Sequence, residues 1–404
     1  MPLAGRDGRG STSTAQAPGS SAASASAACS ARYPLPLPAS PMSTVTDPSG
    51  RAASTTSCSL RRGTAIRSPR APACDPRAAM TLPPGPRKPR GPCPDSDGAG
   101  RVAQAPGGRL NSMRIATWNV NSIRTRFGRV VDWLVREDID VLAMQEIKCR
   151  PDRFPIAAFE QAGYAVEIHG LNQWNGVAIA SRHEMTDVAR SFAGMPGFGK
   201  PVKGQESVQG VGPNGLPLEA RALGVSVGDL RLWSLYVPNG RSLDDPHFAY
   251  KLEWLAALRE DARAWLDADP QLPLALMGDW NIAPREGDMA DPSFRPGAST
   301  HVSPEERSMF ASFETLVTDV VRPIVPEGYT FWDYQAGKFP KNQGMRIDFI
   351  MGSPAFADAV TGAVIDREER KGDAPSDHVP VVCDIDVDLL GGTFDDDDDR
   401  PMVF

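Results

Sequence analysis

Apolar and polar residues alternate along Met113-Arg114-Ile115-Ala116-Thr117-Trp118-Asn119, which predicts a β-strand over 113–119. The rhythm then lengthens. Ile123, Phe127, Val130, Val131 and Leu134 fall on one stripe, which predicts an α-helix over 122–137. Asp140-Val141-Leu142-Ala143-Met144 reads as a short buried strand. Further strands are predicted at 175–181, 219–227, 230–237, 274–278, 346–351 and 379–387, the last with Val379, Val381, Cys383, Ile385 and Val387 on one face. Two more helices announce their starts chemically. Asp245-Pro246 places a cap before a first-turn proline and leads into Phe248, Leu252, Leu255, Ala262 and Leu266. Ser303-Pro304-Glu305-Glu306 is a capping box. Strands outnumber helices and lack a regular βαβ period, so the expected class is an α/β layered sandwich.

Short polar islands end these apolar runs: Thr117-Trp118-Asn119, Gln145-Glu146-Ile147-Lys148, Tyr236-Val237-Pro238-Asn239, Gly278-Asp279-Trp280-Asn281, Arg346-Ile347-Asp348 and Ser376-Asp377-His378. Together they supply the oxygen ligands, amides and imidazole that metal-assisted phosphodiester hydrolysis requires. Singly, each has an ordinary alternative. Asp279 and Asn281, two apart, share a face in an extended segment, yet Gly-Asp-x-Asn also makes an Asx-turn. Glu146 follows a strand too apolar to carry its charge inward, which also describes a surface glutamate. Tyr236 ends a strand at the rim, where an aromatic can simply cap the core. His378 has a candidate acid partner in Asp348, which would be costly to bury alone. Gly224-Val225-Ser226-Val227-Gly228 matches a nucleophile-elbow pattern, but a second strand follows it, so a hairpin is expected and not a serine hydrolase.

Composition separates the chain into unequal parts. Residues 1–112 are largely Ala, Ser, Pro, Gly and Arg, cannot bury enough apolar surface to offset their ordering entropy, and are expected to be a disordered extension or a mis-set start. Rich in Arg and Ser and poor in acid, they also allow an organellar transit peptide, but their Pro and Gly content and the want of a clear amphipathic helix favour the first two readings. Those residues hold 14 Lys+Arg and 5 Asp+Glu, and the net charge is −7, so the remainder carries −16. DNA affinity would therefore need a local basic rim. Residues 391–404, with Asp395–Asp399, are expected to be an acidic disordered tail, leaving 113–390 as the catalytic domain. Only Cys149 and Cys383 lie in that domain, and no Cys-x-x-Cys pair occurs. This pattern predicts neither a zinc site nor a disulfide framework, and suits a reducing compartment, expected to be the cytoplasm. No run approaches the roughly 18 apolar residues of a membrane span.

From Met113-Arg114-Ile115-Ala116-Thr117-Trp118-Asn119-Val120-Asn121 to Ser376-Asp377-His378-Val379-Pro380-Val381, the chain resembles the exonuclease III family of DNA-repair nucleases. These are apurinic/apyrimidinic endonucleases of the endonuclease/exonuclease/phosphatase superfamily. The resemblance implies two packed mixed β-sheets flanked by helices, four layers in all, with the site at one edge. It implies Mg²⁺, with Mn²⁺ as a substitute, and a monomer acting on double-stranded DNA at abasic sites or 3′ ends. By resemblance Glu146 is the principal metal ligand beside Asn119 and Asp377, with Asp279, Asn281 and His378 also in the metal set. Asp279 activates water, Asn281 holds water or phosphate, and Tyr236 and His378 hold phosphate, His378 being paired with Asp348. Asn121, Lys148 and Arg241, with Arg124 and Arg126, are candidate DNA contacts. The Gly- and Pro-rich stretch Ala193–Pro217, with Lys200 and Lys203, stands where the family has a DNA-contacting insertion, or is an ordinary surface loop. Phe331, Trp332 and Ile347 match the walls of a sugar pocket, while Met345 stands where some members place tryptophan. The rival readings are a superfamily phosphatase or lipid phosphodiesterase, and a non-catalytic DNA-binding relative.

Overall fold

The computed structural model describes residues 112–205 and 208–390; expectations for 1–111 and 391–404 lie outside the described residues. The strands, in chain order, are β1 (Ser112–Asn119), β2 (Val141–Gln145), β3 (Ala165–His169), β4 (Val177–Ser181), β5 (Thr186–Ala189), β6 (Ala222–Val227), β7 (Leu230–Tyr236), β8 (Leu274–Asp279), β9 (Thr318–Asp319), β10 (Asp348–Gly352), β11 (Val360–Ile365) and β12 (Val381–Asp386). The helices are α1 (Ile123–Arg136), α2 (Ile156–Gln161), α3 (Pro246–Ala268), α4 (Pro304–Phe313) and α5 (Pro354–Asp358). Asp245 caps α3 through the His247 N–H, and Ser303 with Glu306 forms the capping box of α4, as their sequences predict. Gly224–Gly228 lies in the β6–β7 antiparallel hairpin.

Two six-stranded sheets form, in the orders β11-β12-β1-β2-β4-β3 and β5-β6-β7-β8-β10-β9. Side-chain alternation sorts their residues into three apolar layers. Ile115, Ala143, Ile179, Leu223, Leu232 and Met277 meet between the sheets. Trp118, Leu142 and Met144 point the other way and pack under α1 and α2 with Trp133, Leu134 and Phe159. Trp233, Leu276 and Phe349 do the same under α3 and α4 with Trp254, Leu258, Phe310 and Phe313. Helix, sheet, sheet and helix therefore make the four layers expected.

Each sheet has one parallel pair at its centre, β1 with β2 and β7 with β8, which bring their C-terminal ends to one edge. Antiparallel β10 starts at that edge, with Asp348 opposite Asp279. Just beneath it, Gln145 donates to Thr117 Oγ1 at 3.0 Å and to Ser234 Oγ at 3.1 Å, a buried polar bridge that marks where the apolar core ends.

Candidate active site

Left-handed backbone concentrates where these strands stop. Asn121, Glu146, Lys148, Arg241, Asn281 and His301 all have φ between 42° and 72°. Such angles cost about 1–3 kcal/mol each in most residues, and they persist only where surrounding contacts fix them. They turn the chain sharply, so that side chains from different strands face one point.

Asn119 stands at its centre. Its Nδ2 donates to Glu146 Oε1 at 3.0 Å and to Asp279 Oδ2 at 2.9 Å, while its Oδ1 accepts the Asn121 N–H at 3.0 Å. His378 Nδ1 lies 2.9 and 3.1 Å from the two Asp348 oxygens, and its Nε2 lies 3.8 Å from Asp279 Oδ2. Both His378 and Asp348 are buried. Burial opposes the imidazolium, but the carboxylates of Asp348 and Asp279 outweigh it and lift the His378 pKa to about 10. Burial, with Asp348 and Glu146 nearby, raises Asp279 to about 7 against the pull of His378. For Glu146 burial is overcome by Lys148 and Asn119, which hold it below the ordinary carboxylate value. Lys148 Nζ reaches Glu146 Oε2 at 2.5 Å and Asn121 Oδ1 at 2.5 Å. Tyr236, over whose ring Arg221 stacks at 4.9 Å, is pushed well above its usual pKa by burial and by Glu146.

Ligand atoms of Glu146, Asp279 and His378 lie within 4.8 Å of one another, and the two carboxylates among them are the oxygen donors that a hard divalent cation takes. Three further residues expected in the metal set, Asp377, Asn119 and Asn281, are engaged in hydrogen bonds within the protein. Asp377 is half-buried and accepts from Asn121 Nδ2 at 2.9 Å, on the side of the cluster where Lys148 reaches Asn121 Oδ1. Asn119 presents its NH₂ group to the carboxylates, with its oxygen already used by backbone. Asn281 is also engaged: its Nδ2 donates to Val237 O at 3.0 Å and its Oδ1 accepts from Asn239 at 3.1 Å.

Phe331 packs on His378, ring centroids 4.9 Å apart, and joins buried Met345, Ile347, Ala283 and Val302 in a small apolar patch beside the cluster. Trp332 is not part of it. One residue along an extended segment from Phe331, it turns away, is fully buried, and packs edge-on against Phe339 at 5.1 Å. Arg241 is largely exposed, 3.8 Å from Asp245. Arg126 is tied to the Asn121 carbonyl, Ala374 O and the Tyr334 hydroxyl, which makes it a clamp between segments.

Sequence reasoning missed a second polar network behind the Asp279–Asn281 turn. Lys251 and Glu306, both fully buried, form an ion pair, and Lys251 Nζ also donates to Asn281 O at 2.7 Å. Glu306 accepts from Thr300 Oγ1 at 2.9 Å and from the backbone N–H groups of His301 at 2.9 Å and Ser303 at 3.1 Å. His301 Nδ1 lies 2.5 Å from the same Asn281 carbonyl. One signal was present: Lys251 shares the buried face of α3 with Phe248, Leu255 and Leu258, an odd place for an unpaired lysine.

Residues 116–378 match the Endonuclease/Exonuclease/phosphatase family. The DNA repair nuclease APEX1 of Danio rerio is 28% identical over 285 residues, 68% of this chain and 82% of that protein. Exodeoxyribonuclease III of Haemophilus influenzae is 27% identical over 280 residues, 67% and 98% of the two chains. Among solved structures, NExo from Neisseria, a 3′ phosphatase bound to a product DNA hairpin, is 35% identical over 68% of this chain and 99% of its own, with a TM-score of 0.59. An AP endonuclease from Archaeoglobus fulgidus is 32% identical over 68% and 100%, also at 0.59. Family, relatives and the strand-end cluster agree: the chain belongs to the Endonuclease/Exonuclease/phosphatase family, as a DNA-repair nuclease of the exonuclease III and AP endonuclease type.

Proposed function

We propose that this nuclease hydrolyses the DNA phosphodiester 5′ to an abasic site, leaving a 3′-hydroxyl, trims 3′ ends in the 3′→5′ direction, and acts as a cytoplasmic monomer. The observation that carries this reading is the convergence of Glu146, Asp279, Asp348 and His378 around Asn119 at one sheet edge. Asp279, titrating near 7, takes the proton of the attacking water. The water oxygen bonds to phosphorus as the P–O3′ bond breaks, and the departing oxygen takes up a proton. His378, kept cationic by Asp348, holds a phosphate oxygen through its free Nε2. Tyr236 stays protonated and can donate to phosphate as well. Glu146 and Asp279 would hold Mg²⁺ or Mn²⁺, which when bound supplies charge neutralisation at the phosphate. Positioning and electrostatics carry most of the rate.

A second reading makes removal of 3′-terminal phosphates the main activity. It is favoured by the 35% identical Neisseria enzyme, described as a 3′ phosphatase, and by the closed apolar patch, where Met345 and Ile347 are 1% and 2% exposed. One experiment separates them: labelled duplexes carrying an abasic analogue, a 3′-phosphate or a recessed 3′-hydroxyl, each followed with Mg²⁺ and with EDTA. Incision beside the abasic analogue that needs the metal supports the first reading. Turnover of the 3′-phosphate alone supports the second, and hydrolysis of inositol phosphates or sphingomyelin with no DNA cleavage contradicts both.

A further inference from the structure

His301 is buried, 4% exposed, and the proposed reaction does not use it. Its backbone is pinned on both sides, because its N–H donates to Glu306 Oε1 at 2.9 Å and its carbonyl accepts the Ala283 N–H at 2.8 Å. Its φ is 72°. Phe294 packs edge-on against the ring, centroids 5.3 Å apart, and the imidazole is held between the Asn281 carbonyl and the Asn239 side-chain amide.

That placement decides where each proton sits. A carbonyl oxygen only accepts, so the ring nitrogen 2.5 Å from Asn281 O, Nδ1, is the protonated one. The Lys251 ammonium donates to the same oxygen at 2.7 Å and would repel a second cation beside it, so the ring is neutral. Its Nε2 is then a bare acceptor. The group facing Nε2, at 3.4 Å, is the Asn239 amide, which must turn its NH₂ and not its oxygen to the ring. Asn239 Oδ1 is left to accept the Arg241 N–H at 3.1 Å. The same Asn239 Nδ2 lies 3.1 Å from the Asn281 side chain, so the atom that meets it there is the Asn281 oxygen. Asn281 therefore points its own NH₂ the other way. One of its N–H bonds goes to Val237 O at 3.0 Å, and the second has no partner among the described residues.

We infer that His301 is a positioning residue: as the Nδ1–H tautomer it fixes the Asn239 amide, and through it the Asn281 amide, in the orientation that offers an N–H to the DNA phosphate. This rests on the phosphodiester reading above, with Asn281 as a phosphate-holding group. Two measurements on the full chain test it. Long-range proton–nitrogen NMR spectra show which ring nitrogen of a histidine is protonated, and the His301 signals, identified by their loss in His301→Asn, should report Nδ1–H. An Nε2–H tautomer overturns the inference. The second measurement is the single-turnover rate at saturating Mg²⁺ on the duplex that wild type turns over best. His301→Asn can still offer an N–H to Asn281 O but no acceptor to Asn239, and should lower the rate about tenfold. Asn281→Gly, which suits the left-handed backbone but lacks the amide, should lower it about 10²–10³-fold. In that background His301→Asn should cost less than about twofold, because it acts only through the missing amide. An undiminished tenfold loss there is what a merely structural role would give, and it overturns the inference while leaving the phosphodiester reading standing. Where His301→Asn does not fold, Asn239→Leu removes the same donor, and should shift the His301 Nε2 signal and follow the same rate pattern. Failure of wild type to cleave any DNA duplex overturns the phosphodiester reading and this inference with it.

Discussion

Two buried ion pairs flank Asp279 at the strand-end edge, and they differ in how complete they are. Lys251–Glu306 is finished: one charge of each sign, fully buried, with both Glu306 oxygens and the Lys251 ammonium hydrogen-bonded to Thr300, His301, Ser303, Asn239 and Asn281. Asp348–His378 is unfinished, because Asp279 and Glu146 crowd the same space and leave negative charge that Lys148 only partly offsets. The first pair fixes the backbone carbonyl of Asn281. The second leaves an imidazole nitrogen, two carboxylates and a charge deficit facing whatever binds. In the proposed mechanism the second pair is completed only by the substrate phosphate, whereas the first needs nothing from outside.

The largest expected effect sits on the unfinished side. Asp279→Asn should lower single-turnover cleavage about 10²–10⁴-fold, the scale of a positioned acid–base group, with far less change in thermal stability. Quenched-flow assays beside thermal melts would show whether the two separate. Lys251→Met should do the reverse. Stranding Glu306 in the core costs about 3–5 kcal/mol, and adding Glu306→Gln should recover part of it in urea unfolding. A Lys251→Met protein of normal stability and low activity would break the comparison.

The pH dependence of stability comes next. His247 and His301 titrate at about 4, since burial and the neighbouring Arg221 and Lys251 oppose their charge. Unfolded histidine titrates near 6.5, so between about 6.5 and about 4 the unfolded chain binds protons that the folded chain refuses. Stability should therefore fall as pH drops through that window, by about 1.4 kcal/mol per unit for each histidine at most. His378 runs the opposite way: its folded pKa of about 10 gives a contribution present below about 6.5 and lost as pH rises toward 10. Urea midpoints of metal-free protein at about pH 5, 7 and 9 check both limbs, and His301→Gln should flatten only the acidic one.

The smallest effect belongs to the apolar patch. Met345 is 1% exposed among Ile347, Val302 and Phe331, so Met345→Trp overpacks by about 1–3 kcal/mol and displaces Phe331. The ratio of abasic to undamaged cleavage should change while the Mg²⁺ requirement does not; an unchanged ratio would remove this patch from substrate selection.

What the sequence showed, and what it hid, follows burial. The interior strands β1, β2, β4, β6, β7, β8, β10 and β12 were legible because both faces are packed. The strands that were missed, β3, β5, β9 and β11, are the four sheet edges, half-exposed and without an apolar pattern. Helices α2 and α5, of six and five residues, are too short to show a period. The strand-end residues were legible as a set, because each follows an apolar run. Which way a side chain turns was not, because it depends on left-handed backbone at Glu146 and Asn281 and on the alternation that buries Trp332 away from the apolar patch. The Lys251–Glu306 pair joins residues 55 apart, a separation that local patterns do not encode.

The central claim is that Asp348 and His378 act as one unit within a metal-dependent site. Single-turnover rates on an abasic duplex at saturating Mg²⁺ for Asp348→Asn, His378→Asn and the double variant test it most directly. Each single change should lower the rate about 10²–10⁴-fold, and the double should be little worse than the poorer single, because groups that act together lose their effect once. Glu146→Gln, run alongside, should chiefly raise the Mg²⁺ needed for half-maximal rate. Strictly multiplicative losses in the double variant would contradict the account.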